Sequence, residues 1–149
     1  RGCPLSHRDS PTRSAIGEVA EDFDVIALAA IWNAALEAPP CPERDRTWIH
    51  GDLHAGNLLV REGELSGVID WGLSGLGDPA CDLMAGFTLF EGAVQEVFWQ
   101  ASGITETVWR RARGWALSTG VIAYAHYRGT KTPIEKRSRK LLEELSFSV

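Results

Sequence analysis

The stretch Trp48-Ile49-His50-Gly51-Asp52-Leu53-His54-Ala55-Gly56-Asn57-Leu58-Leu59-Val60, with Val68-Ile69-Asp70-Trp71-Gly72 after it, decides how this chain is read. Thr47-Trp48-Ile49 is a short β-like run, and residues 50–57 follow it as a loop. Residues 58–60 and 66–70 flank Arg61-Glu62-Gly63-Glu64-Leu65, a pattern that predicts a small hairpin with glycine at its turn. That hairpin would bring Asp70 back beside the start of residues 58–60. Asn57 and Asp70 are then expected to converge on one ion, with Asp52 on the same loop.

Reading outward, residues 12–22 predict a short helix, with Ile16, Val19, Ala20 and Phe23 at helical spacing. Asp24 is the expected N-cap of a stronger helix, whose stripe is Val25, Leu28, Ala29, Trp32, Ala35 and Leu36. Ala38-Pro39-Pro40-Cys41-Pro42 ends it, because proline lacks an N–H and restricts the residue before it. Gly72-Leu73-Ser74-Gly75-Leu76-Gly77 reads as a plain flexible loop. Its spacing is not G-x-G-x-x-G, and Asp78 puts negative charge where a phosphate needs a positive helix end. Asp78-Pro79 is a helix-start signal. Helices are expected over 79–90, 93–101, 106–128 and 133–147, with Thr105 and Thr132 capping the last two. In the final one Ile134, Leu141, Leu142 and Leu145 face one way. The fold class is mainly α (α+β), a helical bundle with a small inserted β-hairpin, and residues 1–149 form a single domain.

Composition excludes several classes. With 44% hydrophobic and 23% charged residues the chain is neither disordered nor a membrane span, since no apolar run nears ~20 residues. A net charge of −5 argues against nucleic acid, which is bound by clustered Lys and Arg. Cys3, Cys41 and Cys81 are odd in number and widely spaced, which suits reduced thiols in a cytoplasm. The start Arg1-Gly2-Cys3-Pro4 offers no methionine and no signal core, so a fragment is expected. Lysine occurs only at Lys131, Lys136 and Lys140.

Phosphoryl transfer to a hydroxyl asks a protein for positioning and charge neutralisation, with one carboxylate to take the proton and hard oxygen ligands for magnesium. Asp52 and Asn57 reproduce the D-x-x-x-x-N spacing of a kinase catalytic loop, with His50 in the place of its leading histidine. Asp70-Trp71-Gly72 stands where a kinase carries D-F-G. The chain resembles the aminoglycoside phosphotransferase family, whose loop reads H-G-D-x-x-x-x-N and whose metal motif reads I-D-W/F. Gly77-Asp78-Pro79-Ala80-Cys81-Asp82-Leu83 matches a third motif, G-D-P-x-x-D-L.

The resemblance implies Asp52 as catalytic base, Asn57 and Asp70 as Mg2+ ligands, and Asp82 as a brace for the loop. It implies transfer of the γ-phosphate of ATP or GTP to a hydroxyl of a small molecule, an aminoglycoside-like or other alcohol, with antibiotic resistance as the analogy. Family members also carry a mostly β N-terminal lobe with a phosphate-holding lysine. No lysine precedes Lys131, so the resemblance covers the kinase-like C-terminal lobe only.

Rival readings use the same residues. A catalytically incomplete lobe would act as a binding or assembly module and self-associate through the apolar face left by the missing lobe. A zinc hydrolase would use His50, Asp52 and His54. His50 is otherwise expected to orient the loop. Cys81, in the first turn of its helix, is a packing residue or a thiol of lowered pKa. Arg110, Arg111 and Arg113 read as a solvated helix face, and Trp32 as core.

Overall fold

A computed structural model of the chain describes residues 1–147. The elements run α1 Asp9–Glu18, α2 Val25–Glu37, β1 Thr47–Ile49, β2 Leu58–Arg61, β3 Glu64–Val68 and β4 Gly75–Gly77. They continue as α3 Ala80–Leu83, α4 Ala85–Thr88, α5 Gly92–Ser102, α6 Glu106–Tyr127 and α7 Pro133–Phe147. Helices dominate, as the patterning requires.

The 22-residue helix α6 is the axis, packed against α1, α2, α3 and α7. Ala112, Trp115, Ala116, Leu117, Val121 and Tyr124 give it a buried face, and Leu28, Ile31 and Trp32 of α2 and Leu141, Leu142 and Leu145 of α7 close the core. Two glycines allow the approach. A Cβ on Gly114 would fall 2.5 Å from that of Ala35, and one on Gly120 would fall 2.9 Å from Leu141 Cδ2. Trp32 is fully buried with its one polar atom satisfied, since Nε1 donates to Asp9 Oδ1 at 2.7 Å.

Local signals set most helix ends. Asp24 Oδ1 accepts the N–H groups of Ile26 and Ala27 at 2.9 and 3.1 Å, and Thr105 Oγ1 accepts that of Val108 at 3.4 Å. Helix α1 begins three residues before the expected 12, because Pro11 sits in the first turn, where its missing N–H costs nothing. It stops at Glu18 instead of 22, and residues 19–23 turn back on the Val19 carbonyl. The helix expected over 79–90 is two short ones. Around Met84 (ψ −19°) bonds of i−3 type, such as Phe87 N–H to the Met84 carbonyl, replace the i−4 ladder.

The strands form two antiparallel ribbons. In one, β2 pairs β3 with Leu58 opposite Val68, and Glu62 and Gly63 turn at φ 54° and 84°. In the other, β1 pairs β4, with Thr47 opposite Gly77, Trp48 opposite Leu76 and Ile49 opposite Gly75. The flexible-loop reading of residues 72–77 is thereby corrected at its end. Glycine is required at 77 because Gly2 Cα would lie 2.9 Å from a Cβ there. Segment 1–4 runs alongside, its Gly2 carbonyl accepting the Asp78 N–H at 3.0 Å.

The arginine cluster is corrected too. Arg110 pairs on the surface with Glu106, but Arg111 is buried against Asp78, with Nε to Oδ2 at 2.7 Å, and donates to the Pro39 carbonyl. Arg113 is half buried and donates to the Leu145 carbonyl. Asp78, two residues ahead of α3, accepts the Ala80 N–H at 3.0 Å and is also the buried partner of α6.

Candidate active site

The loop after β1 is held from below by one carboxylate. Asp82 of α3 accepts the His50 N–H through Oδ2 at 2.6 Å and the Gly51 N–H through Oδ1 at 2.8 Å. Gly51 needs its freedom, since φ is +81° and a Cβ would fall 2.4 Å from the Leu73 carbonyl oxygen. The buried His50 ring acts next. Its Nδ1 accepts the Asp52 N–H at 3.2 Å, which places the ring proton on Nε2, and Nε2–H donates to the Ile69 carbonyl at 2.8 Å. His50 therefore ties the loop to the end of β3. The Trp71 ring lies against it, with centroids 4.8 Å apart.

Asn57 is buried and bonded three ways. Its Nδ2 donates to the Asp52 carbonyl at 2.9 Å, its N–H to the His54 carbonyl at 2.9 Å, and its own carbonyl accepts the Ile69 N–H at 2.9 Å. That last bond sets Asp70 one residue from the partner of Asn57. Asp70 is exposed, in the left-handed region at φ 63° and ψ 59°, a conformation aspartate tolerates better than most residues. The structure thus gathers Asp52, Asn57 and Asp70 around one loop and one strand end. Asp52 carries a carboxylate one-third exposed, with Arg1 Nη2 at 3.5 Å from Oδ1 and His54 Nε2 at 3.7 Å from Oδ2.

The donor set suits a hard cation. With Nδ2 of Asn57 committed to a carbonyl, the amide oxygen is the donor that residue offers, and Asp70 adds a carboxylate. Magnesium needs few protein ligands of this kind, because it keeps waters and binds substrate phosphates. The zinc reading fits worse. Both ring nitrogens of His50 are occupied, and among the described residues no group of three His, Cys, Asp or Glu side chains is placed to hold a metal.

Beside the loop lies a groove of about 450 Å³ whose lining includes His54, Met84, Phe87, Phe90, Thr119 and Leu141. Its lining is mainly apolar. At its rim Lys140 of α7 pairs with Glu91, ahead of α5, and with Glu144 at 3.8 Å. Under the loop, burial pushes the Cys81 thiol up to about 11 from its ordinary 9.0, so the lowered-pKa reading is corrected and Cys81 is core. All three cysteines are free thiols.

Residues 6–115 match the family model described as "Phosphotransferase enzyme family". The chain belongs to that family. Two solved structures of similar fold are a "Macrolide 2'-phosphotransferase type I" and the apoenzyme of macrolide 2'-phosphotransferase MphH from Brachybacterium faecium. The first is 18% identical with a TM-score of 0.55, covering 94% of this chain and 49% of its own. The second is 23% identical with a TM-score of 0.50, covering 91% and 48%. This phosphotransferase-family chain spans about half the length of either structure. No curated protein matches it. Among its described residues no helix is long and apolar enough to cross a membrane.

Arg1 and Thr119 enter the site without any local signal, since they lie 51 and 67 residues from Asp52 in sequence. The Asp78–Arg111 pair had one. An aspartate in a helix-start signal and an arginine on a long helix are candidates for pairing once the two elements are known to pack.

Proposed function

We propose that this chain is the C-terminal, catalytic lobe of a phosphotransferase that moves the γ-phosphate of ATP or GTP to a hydroxyl of a bulky small molecule. One observation carries the reading. A partly exposed aspartate stands on a loop whose His54 and Ala55 line an apolar groove, while an amide and a second carboxylate sit at the adjoining strand end. Asp52 accepts the hydroxyl proton as the acceptor oxygen attacks phosphorus, and His50 and Asn57 fix its backbone so that little reorganisation accompanies transfer. Asn57 and Asp70 would hold magnesium, which would neutralise phosphate charge when bound. Asp82 keeps the loop in register without touching substrate.

The groove supports an acceptor with much apolar surface, such as the macrolides named for the two structures of similar fold. A nucleotide-binding N-terminal lobe outside residues 1–149 fits the coverage of those structures and the exposed apolar side chains of Trp48 and Leu76 on the ribbons and of Trp71 and Leu73 in the turn before β4. The same face favours a second reading, in which the chain pairs with another copy as an assembly module. Sedimentation showing a monomer across micromolar concentrations removes it. Asp52→Ala is expected to lower turnover by about 10²–10⁴, the range for a positioned base, with Tm unchanged. Asp70→Ala should abolish magnesium-dependent turnover. An Asp52→Ala protein with full turnover overturns the assignment.

A further inference from the structure

Arg1 is built into the site. Gly2 adopts φ +63° in a slot where a Cβ would fall 2.5 Å from Ile49 Cδ1 and 3.0 Å from Gly77 Cα, and its carbonyl is tied to the Asp78 N–H. Arg1 Cβ sits 3.1 Å from where a Cβ on Gly51 would lie, so the side chain leaves the slot directly beside the catalytic loop. Its guanidinium then spans two elements, Nη2 reaching Asp52 Oδ1 at 3.5 Å and Nη1 reaching Thr119 Oγ1 at 3.4 Å. Thr119 lies on the groove wall. The loop from His50 to Asn57 contains no lysine or arginine of its own. Among the described residues, the basic side chains within 4.0 Å of the Asp52 carboxylate are this guanidinium and the His54 imidazole.

We infer that Arg1 is a positioning residue for the transfer step, bridging the base to the groove wall with a planar fork that lysine cannot reproduce. This rests on the reading of Asp52 as base. Arg1 engages Oδ1, so Oδ2, with His54 Nε2 at 3.7 Å, is the oxygen that takes the acceptor proton, and the bridge to Thr119 sets the carboxylate's orientation relative to the groove wall. Contacts of this length characteristically tighten when substrate closes the site.

The kinetic test uses the longest natural reading frame containing this chain, with Arg1→Ala, Arg1→Lys and Asp52→Ala. Arg1→Ala is expected to lower kcat by about 10–100-fold with the nucleotide KM unchanged, and Arg1→Lys to lower it nearly as far. Added guanidinium ion at millimolar concentration should restore part of the Arg1→Ala rate, which a purely structural role would not allow. Arg1→Ala placed on Asp52→Ala should add little, since one residue acts through the other. Unchanged kcat in Arg1→Ala while Asp52→Ala is crippled overturns this inference alone, whereas full turnover in Asp52→Ala overturns the function itself. A readout independent of turnover is the Arg1 Nη signal in nitrogen-15 NMR. Hindered guanidinium rotation should be lost in Asp52→Asn and in Thr119→Val, and free rotation in the unsubstituted protein would defeat the bridge.

Discussion

Trp32 and Trp115 are wholly buried in the helical body, while Trp48 is 75% exposed and Trp71 54% exposed on the ribbon side. The same residue type does opposite things within one small molecule. The helices assemble by burying apolar stripes against α6, so their stability comes from area removed from water and from close packing. The ribbons and the loop between them are held by polar pins, namely Asp82 to two N–H groups, His50 to the Ile69 carbonyl and Asp78 to Arg111. Two-stranded ribbons carry little stability of their own, and pinning is how a short strand keeps a functional side chain in place. The half that folds by burial thus supports a half that is shaped by hydrogen bonds.

That contrast can be broken by measurement. Trp32→Ala should cost about 3–5 kcal/mol in urea unfolding, because a fully packed indole and its bond to Asp9 disappear together. A loss below ~1 kcal/mol would place the core elsewhere. Cys81 sharpens the boundary between the halves. Its folded pKa of about 11 lies above its ordinary 9.0, so the neutral thiol's contribution is complete below pH 9 and is lost as pH rises through 11. Cys81→Ala should therefore remove about 2–3 kcal/mol of the fall in stability between those pH values, read by denaturant midpoints. Trp48→Ser should shift stability by no more than about 0.5 kcal/mol. A larger loss would mean that the ribbon contributes to folding after all.

Much of this was legible in the sequence where the cause is local. Asp24 before a clean apolar stripe, Thr105 at a helix start and the Glu62-Gly63 turn each act within a few residues, and each is where the pattern put it. Family membership was legible for the same reason, since three motifs lie between His50 and Leu83. What could not be read depends on distant partners. The pairing of β4 with β1 rests on the close approach of Gly2, and Arg111 is buried because Asp78 waits 33 residues away. The break at Met84 is likewise tertiary, as a Cβ on Gly86 would strike the Trp99 ring at 2.4 Å and the short helices must pack around that contact.

Asp82 grips the loop by main-chain atoms alone, through the N–H groups of residues 50 and 51. The anchorage consequently draws on no side chain of residues 50 and 51, although the second must be glycine for want of room beside Leu73, and it moves with α3 instead of with either ribbon. A load on Trp48 would tilt β1 first, whereas one on Trp71 would pass through the His50 ring to the Asp52 N–H.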